Sequence, residues 1–217
     1  MKYKLAIFDF DGTLADTVPW LASVMDQVAD RYNFNRLDGQ DLEVLRDYDS
    51  RQLLKHLGVP LWKLPMIGNH MRNLMARDIE KIPLFDGVED LLRDLSASGV
   101  DLAIVSSNSY ANIRSVLGPE TAGLIGFYEC GTSLFGKQAR IRKVLRKSGC
   151  MAGHAIYIGD EVRDVEASRG ERIAFGAVSW GCARVETLKA HRPNEVFTSI
   201  SDILEKIAPQ AGTAPRT

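Results

Sequence analysis

Residues 5–14 read Leu-Ala-Ile-Phe-Asp-Phe-Asp-Gly-Thr-Leu. An apolar run ends on two carboxylates, Asp9 and Asp11, with Phe10 between them, and Gly12 breaks the pattern at once. A strand exposed on one face spreads polar residues along that face. This one has none between Leu5 and Asp9, so it reads as buried on both sides. Side chains at i and i+2 share a face of a strand, which predicts that Asp9 and Asp11 converge on one spot. Two desolvated like charges repel strongly unless a cation or a proton compensates. A hard divalent cation with oxygen ligands meets that need, and Mg²⁺ is the common one.

Outward from this stretch the chain alternates. Residues 19–82 hold only helical patterns. Trp20, Leu21, Val24, Met25, Val28 and Tyr32 recur at helical spacing behind Pro19, which suits a first turn. Asp49 and Ser50 read as a cap pair, Gly58 as the residue just past a helix end, and residues 66–82 as one long helix. From Pro83 onward, helical segments alternate with short apolar runs: residues 100–107, 126–131, 155–160, 172–180 and 195–198. Strands separated by helices of this length predict βαβ units, hence an α/β fold with a parallel sheet covered by helices on both faces. Ligands of such sheets bind at the carboxyl ends of the strands, near a switch in strand order.

The strand ends therefore carry the functional reading. The second strand ends in Ser106-Ser107-Asn108-Ser109, hydroxyls and backbone N–H groups ahead of a helix, which suit an anion. Lys137 follows a glycine and opens a helix, the unfavourable end of the dipole for a cation unless it faces an anion. The strand of residues 155–159 ends in Asp160-Glu161, with Asp164 four residues after Asp160. Each feature alone has a plain reading. Asp160 can be a turn or cap residue, the serines a helix start, and Lys137 a surface lysine. An acid pair, hydroxyls, a base and an acid cluster, each at the mouth of one parallel sheet, form a coherent set.

On these motifs the sequence is identified as a member of the haloacid dehalogenase superfamily. The family's DxDGT motif stands here as Asp9-Phe10-Asp11-Gly12-Thr13. Its strand-terminal Ser or Thr stands as Ser106, its lysine as Lys137, and its GDxxxD motif as residues 159–164. The resemblance runs to about Ala208 and is greatest to phosphoglycolate phosphatases and their relatives. It implies a Rossmann-like three-layer α/β/α core (residues 1–16 plus 84–209) and a small all-helical cap (17–83); the small, polar, Pro-containing residues 210–217 read separately as a flexible tail. It also implies phosphoryl transfer through an aspartyl-phosphate. Asp9 would be the nucleophile and Asp11 the acid and base. Ser106, Ser107 and Lys137 would hold the phosphoryl oxygens. Mg²⁺ would be held by Asp9, the Asp11 backbone carbonyl and Asp160, with Asp164 in support. The expected substrate is a small phosphorylated metabolite. A phosphomutase with the same Asp9 chemistry, or a silent binding module on the same fold, are the alternatives. The dehalogenases of the superfamily lack an acid at the position of Asp11, which disfavours that activity.

Composition agrees. The chain has 217 residues, 45% hydrophobic and 25% charged, with a formal net charge of -1, so nothing points to nucleic acid or a membrane surface. No apolar run approaches a bilayer span, and Asp9 and Asp11 interrupt the N-terminal run too early for a signal peptide. Cys130, Cys150 and Cys182 are widely spaced and odd in number, which fits packing residues in a reducing cytoplasm. The expected assembly is a monomer or a homodimer. The basic run 137–147 reads as a solvated helix face. Arg46, Arg51, Lys55 and Arg163 read as solvent-exposed, with an anionic substrate group as the alternative, and Trp62 and Met66 to Met75 read as cap packing.

Overall fold

The strand that opens the chain is the centre of the sheet. In the computed structural model, which describes residues 2–37, 46–131 and 136–208, β1 (Leu5–Phe8) lies between β2 (Asp101–Val105) and β4 (Ala155–Gly159). Beyond them sit β3 (Phe127–Glu129), β5 (Ala174–Val178) and β6 (Glu195–Phe197). Every pairing is parallel and the order is β3-β2-β1-β4-β5-β6. The chain moves outward from β1 to β3, returns to β4 and then moves outward the other way. The switch in direction lies between β1 and β4, so the crevice for a ligand lies outside their carboxyl ends.

Alternation along the strands explains the continuous apolar runs. Ala6, Phe8, Leu102, Ile104, Ile156 and Ile158 face one side, against α4 (Val88–Ala97), α5 (Tyr110–Leu124) and α9 (Ile200–Ile207). Leu5, Ile7, Ala103, Val105, Ala155 and Tyr157 face the other, against α6 (Lys137–Ser148), α7 (Val162–Gly170) and α8 (Val185–Ala190). Both faces exclude water, which makes three α/β/α layers. Helix α5 bends at Gly118-Pro119, where glycine takes φ 71 and proline follows.

Between β1 and α4 the described residues are all helical or irregular. They include α1 (Val18–Tyr32), α2 (Ser50–His56) and α3 (Leu64–Arg77). The long helix expected over 66–82 ends at Arg77 and is followed by a single turn of 3₁₀ helix, Ile79–Lys81. Asp49 caps α2 through the backbone N–H groups of Arg51 and Gln52, and Gly58 follows α2 with φ 65, as the sequence suggested. The insertion leaves and rejoins the core side by side. Asp16 N donates to Pro83 O and Phe85 N to Leu14 O. Trp20, Val24 and Met75 join the core cluster beneath, whereas Trp62, expected to pack in the cap, is 71% exposed beside Leu61 at 67%. The expected tail, residues 210–217, lies outside the described residues. No helix among the described residues is long and apolar enough to cross a membrane.

Candidate active site

β1 stops at Phe8, and the backbone then turns. Asp9 N still reaches Ile158 O on β4 (2.9 Å), while the Phe10 carbonyl accepts from Leu14 N and Ala15 N. The turn needs φ +75 at Gly12, a value that side chains disfavour. Past the strand end, Asp9 and Asp11 take different hydrogen-bond partners. The Asp9 carboxylate accepts from Phe10 N and pairs with Lys137 Nζ. Asp11 Oδ1 accepts from Asn108 Nδ2 at 3.0 Å. They remain close in charge. Burial, then the negative charge of Asp9, pushes the Asp11 carboxyl up to about 7, against a smaller downward pull from Asn108.

Lys137 is the first residue of α6, and its side chain is fully buried. Its ammonium donates to Asp9 and to Asp164 Oδ1 (2.6 Å), the anions that justify a cation at this helix end. Burial lowers its pKa, but Asp164 and Asp9 outweigh that and keep it charged. Asp164 sits in the first turn of α7 and also accepts from Glu161 N at 3.2 Å. Asp160, directly after β4, is 0% exposed. Its Oδ1 accepts from Thr13 Oγ1 (3.0 Å) and its Oδ2 from Cys182 N (2.7 Å). Asp9, Asp160 and Asp164 each present a carboxylate oxygen within 4.8 Å of the others. Burial and the charges of Glu161, Asp9 and Asp164 push Asp160 up to about 8, and burial raises Asp164 to about 6 despite Lys137. The cluster holds more negative charge than Lys137 offsets.

Ser106 follows β2, wholly buried, and its Oγ accepts from Asn108 N at 3.1 Å. The Ser107 hydroxyl joins none of these contacts among the described residues; its carbonyl accepts from Arg72 Nη1 at 3.3 Å. Sequence reading overlooked Thr13, Asn108, Gly181 and Cys182 as site residues. Asn108 lay within the serine cluster. Gly181 and Cys182 lie just beyond β5, and the strand-end rule applied to that strand finds them. Glycines wall the acids in. A Cβ on Gly12 would lie 2.3 Å from Asp160 Oδ2, one on Gly159 2.5 Å from Asp164 Oδ2, and one on Gly181 2.1 Å from Asp160 Cβ. Gly181→Ala is therefore expected to destabilise the fold by about 1–3 kcal/mol in a urea melt. It should also displace Asp160 and so weaken the affinity of the acidic cluster for any divalent cation it holds. Unchanged stability and affinity would contradict that packing.

The seat of α6 decides where Lys137 points. Glu129, the last residue of β3 and 2% exposed, accepts from Arg140 (3.0 Å), Lys143 (2.9 Å) and Lys147 (2.9 Å) on α6. The basic run is thus only partly a solvated face. Burial pushes the Glu129 carboxyl up, but Lys147, Lys143 and Arg140 together hold it below the ordinary range. A carboxylate depressed in the fold stabilises above its unfolded pKa and loses that effect as pH falls through the folded value. Glu129→Gln is expected to cost about 1–3 kcal/mol near neutral pH. The difference from wild type should shrink as pH falls below about 4. Urea melts at neutral and acid pH measure it, and a penalty that does not shrink would refute the ion pairing.

Helix α2 and the residues before it touch the rim. Ser50 Oγ donates to Glu161, and Arg163 Nε donates to Glu161 at 2.8 Å. Arg46 donates to the carbonyls of Gly181 (3.0 Å) and Cys182 (3.3 Å). Arg46 and Arg163, read from sequence as solvent-exposed, are engaged instead. Arg51 is exposed, 3.5 Å from Glu166.

The family model for haloacid dehalogenase-like hydrolases matches residues 6–178, and the chain belongs to that family as a hydrolase. It is 30% identical over 202 residues to the phosphoglycolate phosphatase of Synechococcus elongatus, covering 93% of this chain and 95% of that one. It is 23% identical to the pyrophosphatase PpaX of Oceanobacillus iheyensis, covering 94% and 96%. The crystal structure of a candidate phosphoglycolate phosphatase from Lactobacillus plantarum superposes with a TM-score of 0.79 at 22% identity, over 94% and 99% of the chains.

Proposed function

We propose that the protein is a Mg²⁺-dependent phosphatase of small phosphorylated metabolites that works through an aspartyl-phosphate on Asp9. The observation that carries this reading is the buried cluster of Asp9, Lys137, Asp160 and Asp164 at the switch point of the sheet. The relatives named for phosphoglycolate and pyrophosphate hydrolysis support it. Residues 17–83 act in this reading as a cap over a core of residues 1–16 and 84–209.

The donor set fits Mg²⁺. All three side chains are carboxylates, hard oxygen donors, and their buried charge exceeds what Lys137 balances. Asp9, Asp160 and the Asp11 backbone carbonyl would hold the ion, with Asp164 completing the acidic set. When bound, Mg²⁺ neutralises charge on the transferring phosphoryl group. The chain's own residues do the rest. Asp9 attacks phosphorus. Asp11, with a carboxyl near neutrality, donates a proton to the leaving oxygen and then takes one from the water that breaks the acyl-phosphate. Lys137 balances the phosphoryl oxygens, Asp164 keeps Lys137 in place, and Ser106 and Ser107 line the cradle. The cap excludes water other than the attacking one.

Phosphate release from a panel of small phosphorylated metabolites, with Mg²⁺ and with chelator, tests the reading. Metal-dependent release concentrated on a few related compounds is expected. No release by the folded protein, or release indifferent to chelator, overturns it. Isomerised product without free phosphate would instead mark a mutase.

A further inference from the structure

We propose that Arg72 selects the substrate, and that the substrate carries a second anionic group close to the phosphoryl group. The inference rests on the phosphatase reading and deepens it. Arg72 lies on α3, in the helical insertion, and its guanidinium reaches the loop at the end of β2, where Nη1 donates to Ser107 O at 3.3 Å. Ser107 is the neighbour of Ser106 in the phosphoryl cradle. Other cations at this rim are already engaged. Lys137 is held by Asp9 and Asp164, Arg163 by Glu161, and Arg46 by two carbonyls. Among the described residues Arg72 donates to one neutral carbonyl, through one of its five N–H donors, and pairs with no carboxylate. A partly buried guanidinium left in this state beside an anion cradle has donor capacity suited to a carboxylate or phosphate.

A buried amide relay fixes its position. Asn112 Nδ2 donates to the Arg72 carbonyl (2.9 Å) and to Asn108 Oδ1 (3.1 Å), and Asn108 Nδ2 donates to Asp11 Oδ1 (3.0 Å). Asn108 and Asn112 are each 4% exposed. The main chain at Arg72 is thereby tied to the carboxyl that serves the leaving oxygen, and the leaving side of the substrate is where a second charged group would lie. The relay uses the backbone of residue 72, so replacing its side chain leaves the relay whole. Phosphoglycolate and pyrophosphate, named for two relatives, share this chemistry: a phosphoryl group with a second anion a few bonds away.

The test compares three substrates in wild type, Arg72→Gln and Arg72→Lys, with Mg²⁺: 2-phosphoglycolate, pyrophosphate and ethyl phosphate, which lacks the second anion. Wild type should favour one or both of the first two, and which one identifies a carboxylate or a phosphate as the partner. Arg72→Gln should lose about 10- to 100-fold in kcat/KM on the favoured substrate, the scale of a charged hydrogen bond. It should lose less than about threefold on ethyl phosphate, with Arg72→Lys in between. The thermal midpoint should stay put. Equal losses on charged and uncharged substrates, or no loss on either, overturn the inference while leaving the phosphatase reading intact. A wild type that prefers ethyl phosphate also overturns it. No phosphate release by wild type from any of the three, or from the wider panel, removes the phosphatase reading and this inference with it.

Discussion

Asp9→Asn is expected to abolish phosphate release, by about 10⁴-fold or more, while the protein stays folded. The magnitude is that of removing a covalent nucleophile. An amide has almost the same volume as the carboxylate, and its oxygen can still accept from Phe10 N. Lys137 keeps Asp164 as an ion partner, so the ammonium is not left unpaired in the interior. Removing one of several crowded negative charges offsets the loss of the other ion pair. The variant should therefore give an unfolding free energy in urea within about 1 kcal/mol of wild type. Retained turnover would sink the covalent mechanism, and an unfolded variant would show that Asp9 is needed to balance Lys137.

Asp160→Asn is expected to have opposite effects on binding and stability. Mg²⁺ affinity, followed by calorimetry, should fall at least about 100-fold, because an anionic oxygen ligand becomes a neutral one. Metal-free stability should rise. The Asp160 carboxyl is pushed from an ordinary value to about 8 in the fold. A carboxyl with a raised folded pKa destabilises the native state increasingly from about pH 4, its unfolded pKa, up to the folded value. Metal-free wild type should thus lose stability between about pH 4 and pH 8, and the variant should lose less. Its amide fits the site. The amide oxygen can accept from Cys182 N, and the amide nitrogen can donate to the Thr13 hydroxyl, which is also able to accept. A less stable metal-free variant, or undiminished Mg²⁺ affinity, would contradict the reading of this cluster as a metal site held at a cost in stability.

What could be read in advance was local. The strand-terminal acids, the serines after β2 and Lys137 at a helix start are each visible within a few residues of chain, and strand–helix alternation places them on one edge. The contacts that define the site are not local. Lys137 meets Asp164 across 27 residues, Asn108 meets Asp11 across 97, and Thr13 meets Asp160 across 147. No periodicity reports such pairings, so Asn108 and Arg72 emerged only from packing. Asp9 and Asp11 lie past the strand end at Phe8 and take different hydrogen-bond partners, yet the Asp9 charge still pushes the Asp11 carboxyl up. Trp62 reads as core by chemistry alone, yet it lies on an exposed turn ahead of α3. Gly181 and Gly12 look like ordinary turn residues in the sequence. Their necessity comes from the Asp160 side chain pressed against them.

The central claim is that Asp9 becomes phosphorylated. The most direct measurement is to quench a turnover of phosphorylated substrate with borohydride, which reduces an acyl-phosphate to an alcohol, and to map the peptide bearing residue 9 by mass spectrometry. Homoserine at position 9, formed only when substrate and Mg²⁺ are both present and absent from Asp9→Asn, is the expected result. An unmodified Asp9 during active turnover, or reduction at another carboxylate, would contradict the account.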